Sequence, residues 1–224
     1  RRDDPAAGAG RFVHAALALA PVGTDSVGDA ARRDPRLSAL DRVSITCRCG
    51  ATQGCGSIRD MDARSLAAVI DHTLLKPEAF ESDVDRILDE CLAHGFASAC
   101  VSPVFVKRAA RRLAGSRSKV CTVVGFPNGT SKATVKAIEA VAAIKDGAGE
   151  VDVVGHLPHL LALDLDAARN ELLEVCRGAR AARKDVIIKV IVESAALVKL
   201  NADRAEETIA IACRAGRESG RGFI

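Results

Sequence analysis

Two charged residues stand where the chain around them is apolar. Lys189 lies within Val-Ile-Ile-Lys-Val-Ile-Val-Glu (186–193), and Asp152 within Glu-Val-Asp-Val-Val (150–154). An ammonium buried among aliphatic side chains is pushed towards its neutral form by up to about 3–5 pKa units, which suits an amine nucleophile or a proton relay. Glu193, four residues on and on the same face of an extended strand, is the carboxylate that would instead make Lys189 structural. Asp152 reads as an acid–base group or as a satisfied structural carboxylate, since burial demands hydrogen bonds or a cation. A lysine and an aspartate in one interior suggest Schiff-base or proton-transfer chemistry on a carbonyl compound. On these residues alone Lys189 is the nominated nucleophile. Asp71, read as closing the first strand ahead of His72 and Thr73, and Cys100 are weaker candidates, with loop anchoring and core packing as their alternatives.

Metal ligands are not expected. His156 and His159 flank Pro158 and read as loop residues, and Cys47, Cys49 and Cys55 form a cluster with no nearby fourth ligand.

The elements that must hold these residues alternate from Ser65 onwards. Apolar runs at 67–70, 98–101, 120–124, 151–154, 186–192 and 223–224 read as strands. Between them lie helical stretches. Ser82 opens one that Gly95 ends, Pro103 opens one that ends at Gly115, and Ser131 opens one that ends at Gly147. Asp164 or Asp166 starts a fourth, and Asn201 or Asp203 a fifth that closes at Gly216. Repeated strand–helix units with continuously apolar strands mean a parallel sheet covered by helices. The strand spacing suits a doubly wound sheet or a (β/α)8 barrel. No Gly-x-Gly-x-x-Gly follows the first strand and no P-loop occurs. Polar residues gather near strand ends, which favours the barrel.

Composition narrows the function further. Lys and Arg total 32 against 29 acidic residues, and Trp and Tyr are absent, so a nucleic-acid partner is not expected. No apolar run approaches the roughly 18 residues of a membrane span. Five cysteines, Cys91, Cys100, Cys121, Cys176 and Cys213, fall on apolar stripes or strands, the usage of a reducing compartment, which points to the cytoplasm. Residues 1–60 differ from the rest, with nine Arg and seven Asp but no Lys or Glu. They are read as an unassigned extension, flexible or not native, ahead of the strand–helix part at 61–224.

Five motifs mark that part. Ile-Asp-His-Thr-Leu-Leu-Lys-Pro (70–77), Gly-Phe-Ala-Ser-Ala-Cys-Val (95–101), Val-Cys-Thr-Val-Val-Gly-Phe-Pro (120–127), Glu-Val-Asp-Val-Val (150–154) and Lys-Val-Ile-Val-Glu (189–193) occur in order. From Ser65 to Ile224 the chain resembles the bacterial deoxyribose-phosphate aldolases, class I aldolases of deoxynucleoside catabolism. The resemblance implies a (β/α)8 TIM barrel, of which about five and a half strands are present. It implies reversible cleavage of 2-deoxy-D-ribose 5-phosphate to acetaldehyde and D-glyceraldehyde 3-phosphate through a lysine Schiff base. No cofactor and no metal are implied; the partners are small phosphorylated sugars and aldehydes, and a homo-oligomer is allowed.

The resemblance also reassigns the lysine. Asp152 matches the proton-relay aspartate, Lys189 matches an assisting active-site lysine, and Asp71 and Cys100 match substrate-pocket positions. The Schiff-base lysine is expected just after Ile224, so residues 1–224 by themselves are expected to be inactive. Two departures stand out: Gly155-His156-Leu157-Pro158 where many relatives read Ile-Asn-Ile-Gly, and Gly222 where many carry Asp. They leave open another class I aldolase on the same barrel, or a non-catalytic truncated or degenerate product.

Overall fold

A computed structural model describes residues 62–220. The extension at 1–60, the cysteines within it and the expected strand at 223–224 lie outside those residues. The described part belongs to a single unit that begins at Asp62.

The first element is a short helix, α1 (Ala63–Ala67), started by the Asp62 carboxylate, which accepts from Ser65 N at 2.7 Å. The apolar run at 67–70 is therefore the end of a helix and a turn. The first strand, β1 (Asp71–Leu74), follows it, so Asp71 opens the strand and does not close it. Next come α2 (Glu81–His94), β2 (Ser98–Val101), α3 (Val106–Arg112) behind a 3-10 turn at Pro103–Phe105, β3 (Lys119–Val124) and α4 (Ala133–Asp146). Then follow β4 (Glu150–Val154), α5 (Leu157–Leu161), α6 (Leu165–Ala182), β5 (Ile187–Ile191), α7 (Ser194–Leu200) and α8 (Ala205–Glu218).

Local chemistry explains most boundaries. Helix α2 starts one residue before Ser82, because Asp83 reaches back to accept from Phe80 N at 3.0 Å. Its end at Gly95 is the expected one: φ is +71° and the glycine N–H returns to Cys91 O. Asp164 caps α6 by accepting from Ala167 N at 2.9 Å. Helix α8 runs through Gly216 to Glu218, while the short helices α5 and α7 follow β4 and β5 directly and were not anticipated. Pro158 at the first turn of α5 was their one readable signal.

All five strands are parallel and lie in the order β1-β2-β3-β4-β5. A doubly wound sheet reverses direction at a switch point and breaks that order. Unbroken sequential order is that of a (β/α)8 barrel, here an arc of five strands. One sheet face supplies Ala99, Val101, Val120, Val124, Val151, Val153, Ile188 and Val190 to the main core, where they meet the helices. The strands read as continuously apolar because that face dominates. The opposite face holds only a small apolar cluster of Cys100, Cys121 and Val123. Ile191 packs against it, and charged and polar side chains fill much of the rest of that face.

Candidate active site

The two-residue period of the strands assembles that second face. Asp71 pairs with Ser98, Cys100 with Cys121, Cys121 with Glu150, and Asp152 with Lys189. Five neighbouring strands thus deliver Asp71, Ser98, Cys100, Cys121, Glu150, Asp152 and Lys189 to one surface. Asp152 and Lys189 occupy the third of five positions in their strands. The charged cluster therefore sits at mid-strand, while Ser102, Asn128, His156 and Glu193 come at or beyond the carboxyl ends.

Lys189 is its centre. The ammonium lies 2.8 Å from Asp152 Oδ1, 2.8 Å from Glu150 Oε2 and 3.3 Å from Asp71 Oδ2. It also donates to Cys121 Sγ at 3.2 Å. Two of the three carboxylates have a second tie. Ser98 Oγ donates to Asp71 Oδ1 at 2.6 Å, and Lys119 Nζ stands 3.3 Å from Glu150 Oε1. Asp152 Oδ1 makes no hydrogen bond of good geometry and meets the ammonium as an ion pair. The same face brings the ligand atoms of Cys100, Cys121 and Asp152 within 4.8 Å of one another.

Protonation follows from these contacts. Burial alone would drive Lys189 towards a neutral amine. The Cys121 sulfur, which accepts from it, and the carboxylates of Asp152, Glu150 and Asp71 outweigh burial and hold the ammonium well above the ordinary lysine range. Burial pushes the Asp152 carboxyl up, and Lys189 offsets part of that rise. A hydrogen bond with Cys100, reinforced by burial, lifts the Cys121 thiol well above its usual value. The site therefore combines a permanent cation with a carboxylate whose proton is held more tightly than usual.

This overturns the nomination of Lys189 as a nucleophile with a depressed pKa. Three carboxylates supply what the apolar neighbours withhold. Glu193 is not among them: it is exposed, in the left-handed region at φ +53°, and precedes α7. Glu150 and Cys121 are site members that sequence reasoning passed over, although both stand at even spacing from Asp152 and Val123 on their own strands. His156 and His159 lie beside each other at the start of α5, with ring centroids 4.5 Å apart.

A second buried ion pair was also missed. Lys136 on α4 is fully buried, donates to Val154 O at 2.7 Å and meets Glu171 Oε1 of α6 at 2.5 Å. Glu171 accepts from His156 N at 3.2 Å through its other oxygen. The C-terminal end of β4, two residues beyond Asp152, is thus tied to two helices.

The pattern of the DeoC/LacD family aldolases matches residues 65–224, which include every strand described above. This chain belongs to that family. It is similar to the deoxyribose-phosphate aldolase of Thermoanaerobacter sp. (strain X514), 39% identical over 160 residues that cover 71% of this chain and 68% of the relative. It is 41% identical over 155 residues to that of Brevibacillus brevis, covering 69% and 65%. The solved tetrameric deoxyribose phosphate aldolase of Aeropyrum pernix matches with a TM-score of 0.62 and 31% identity, covering 72% of this chain and 64% of that one. This DeoC/LacD chain spans about two thirds of the length of these relatives.

Proposed function

We propose that the chain carries the first five strand–helix units of a deoxyribose-phosphate aldolase, cleaving 2-deoxy-D-ribose 5-phosphate reversibly to acetaldehyde and D-glyceraldehyde 3-phosphate. The contact of Asp152 with Lys189 on the inner sheet face carries this reading. Class I aldol chemistry needs an amine to form an imine and a second group to move protons at the neighbouring carbon. Asp152 suits the second task. Its carboxyl is raised by burial, retains some solvent contact, and has an oxygen with unfilled hydrogen-bonding capacity.

Lys189 suits neither imine formation nor proton abstraction while it stays protonated among three carboxylates. Its role is to fix the charge and position of Asp152. The imine-forming amine is the lysine expected just past Ile224. Asp71 and Cys100 line the same face and contribute to the substrate pocket, with Asp71 held by Ser98. The altered loop after β4 does not disturb this arrangement, because Gly155 N still donates to Ile191 O at 3.1 Å and keeps β4 beside β5.

Small phosphorylated sugars and aldehydes are the partners under this reading, with assembly into a homo-oligomer as an extension of it. Among the described residues no helix is long and apolar enough to cross a membrane. The five described cysteines are free thiols, which supports placing the protein in the cytoplasm.

Borohydride reduction in the presence of acetaldehyde tests the assignment of roles, because reduction locks an imine onto the lysine that formed it. In a chain extended past Ile224 by the family's remaining strands, the label is expected at the first lysine after Ile224. Stoichiometric labelling of Lys189 would overturn its assisting role.

A further inference from the structure

We propose that Cys100, Cys121 and Asp152 form a binding site for a thiophilic divalent cation of the zinc and cadmium type, whose occupation withdraws Asp152 from proton transfer. The three ligand atoms already lie within 4.8 Å of one another. Thiolates around a tetrahedral ion at about 2.3 Å stand roughly 3.8 Å apart, so small side-chain rotations close the site.

The backbone prepares this arrangement. Cys100 and Cys121 are direct partners on adjacent parallel strands, and Asp152 lies one pleat beyond Glu150, the partner of Cys121 on the third strand. All three ligands come from paired strands and none from a loop, which fixes their spacing better than a loop would. Two sulfurs and one oxygen select a soft or borderline ion over magnesium or calcium, which demand oxygen ligands. Asp152 keeps 15% of its side chain in solvent, whereas both cysteines are buried.

Charge also favours a cation. Three carboxylates, Asp71, Glu150 and Asp152, gather around Lys189, and Lys119 reaches only the far oxygen of Glu150. On binding, each thiol gives its proton to solvent and its sulfur lone pair to the metal, so two protons leave and two metal–sulfur bonds form. Two thiolates and the Asp152 carboxylate carry three negative charges. The ion supplies two positive charges and the adjacent Lys189 ammonium, 3.2 Å from Cys121 Sγ, supplies the third. The two thiolate charges offset the two charges of the ion, so binding leaves the net charge of the cluster as it was, with Asp71 and Glu150 still beside Lys189.

The effect on catalysis rests on the aldolase reading above; the binding does not, and the experiment separates them. The probe is cadmium, titrated into the reduced 224-residue chain carrying Cys47→Ser, Cys49→Ser and Cys55→Ser, which removes the other close group of thiols. One ion per chain is expected, reported by the ultraviolet charge-transfer absorption of cadmium–thiolate bonds. Calcium in tenfold excess leaves that absorption unchanged. Cys100→Ser and Cys121→Ser each abolish stoichiometric binding, and Asp152→Asn weakens it at least tenfold. Absence of the absorption, or its survival in both serine variants, overturns the site. Should circular dichroism show that the serine variants do not fold, Asp152→Asn decides, and unchanged affinity there overturns it. Cadmium binding in a chain whose extended form shows no aldolase activity would retain the site and reject the catalytic reading.

Discussion

Replacing Lys189 by methionine removes the one cation shared by three carboxylates while keeping most of the volume of the side chain. The lysine side chain is only 8% exposed, and Asp152 lies 2.8 Å from its ammonium. At an effective dielectric of about 20, an ion pair at that distance is worth about 6 kcal/mol before desolvation. The carboxylates do not lose equally. Glu150 keeps Lys119 and Asp71 keeps Ser98, whereas Asp152 Oδ1 has no hydrogen bond to fall back on. The variant therefore leaves one buried charge uncompensated, and such a loss costs about 3–5 kcal/mol. Urea unfolding of the 224-residue chain followed by circular dichroism, with chelator present, measures it.

Two further readouts separate this cause from a packing defect. Asp152→Asn on the Lys189→Met background removes the orphaned charge and is expected to restore more than half of the lost stability. Acidification acts in the same direction. Without Lys189, burial raises Asp152 further above the ordinary aspartate value of 3.8. The folded chain then holds a proton that the unfolded chain has already released, so stability falls as pH rises from about 4 to the raised folded value. The variant should accordingly lie closer to the parent near pH 5 than near pH 7.5. A deficit below about 1 kcal/mol, or a deficit that neither the second substitution nor acid reduces, would refute the view of Lys189 as the counter-ion of Asp152.

Other consequences are read from neighbouring contacts. In an extended, active chain, Asp152→Asn should lower kcat by about 10²–10⁴-fold with folding intact, and a loss under tenfold would leave Asp152 structural. Lys136→Met strands the buried Glu171 carboxylate and should destabilise by about 3–5 kcal/mol; adding Glu171→Gln should recover much of it, as a double-mutant cycle in urea would show. Gly129→Ala places a Cβ 2.4 Å from Gly155 O at φ +65°, so thermal unfolding should fall by several degrees, and an unchanged midpoint would mean that the loop moves freely.

How far the sequence disclosed this arrangement depended on the range of the interaction. Capping is local, and Gly95, Gly147 and Asp164 end or start helices where their chemistry predicts. The strands at 98–101 and 120–124 were legible because nearly every residue there is small, apolar or β-branched and buried. The run at 67–70 misled for the same reason: short apolar runs do not distinguish a strand from a helix end, and the deciding group was Asp62, five residues upstream of Ala67. Lys189 shows the other limit. Its apolar neighbours in the chain suggested a neutral amine, yet the groups that set its charge come from β1 and β4, up to 118 positions away in Asp71. Burial can be read from one strand; the sign of a buried group's shift needs the strands beside it.

That distinction bears on the division of labour in the site. A lysine with a depressed pKa and one with a raised pKa look alike in a single apolar strand, but they perform opposite tasks. The first is free to attack a carbonyl. The second is a fixed positive charge that keeps a nearby carboxylate available to take and return a proton. Here the register of β4 and β5 pairs Asp152 directly with Lys189, and Glu150 and Asp71 keep the ammonium charged. Attack on a carbonyl needs a neutral amine, and the three carboxylates around Lys189 oppose the loss of its proton. On the proposed aldolase reading, Lys189 is therefore left as counter-ion and a second amine takes the Schiff-base role.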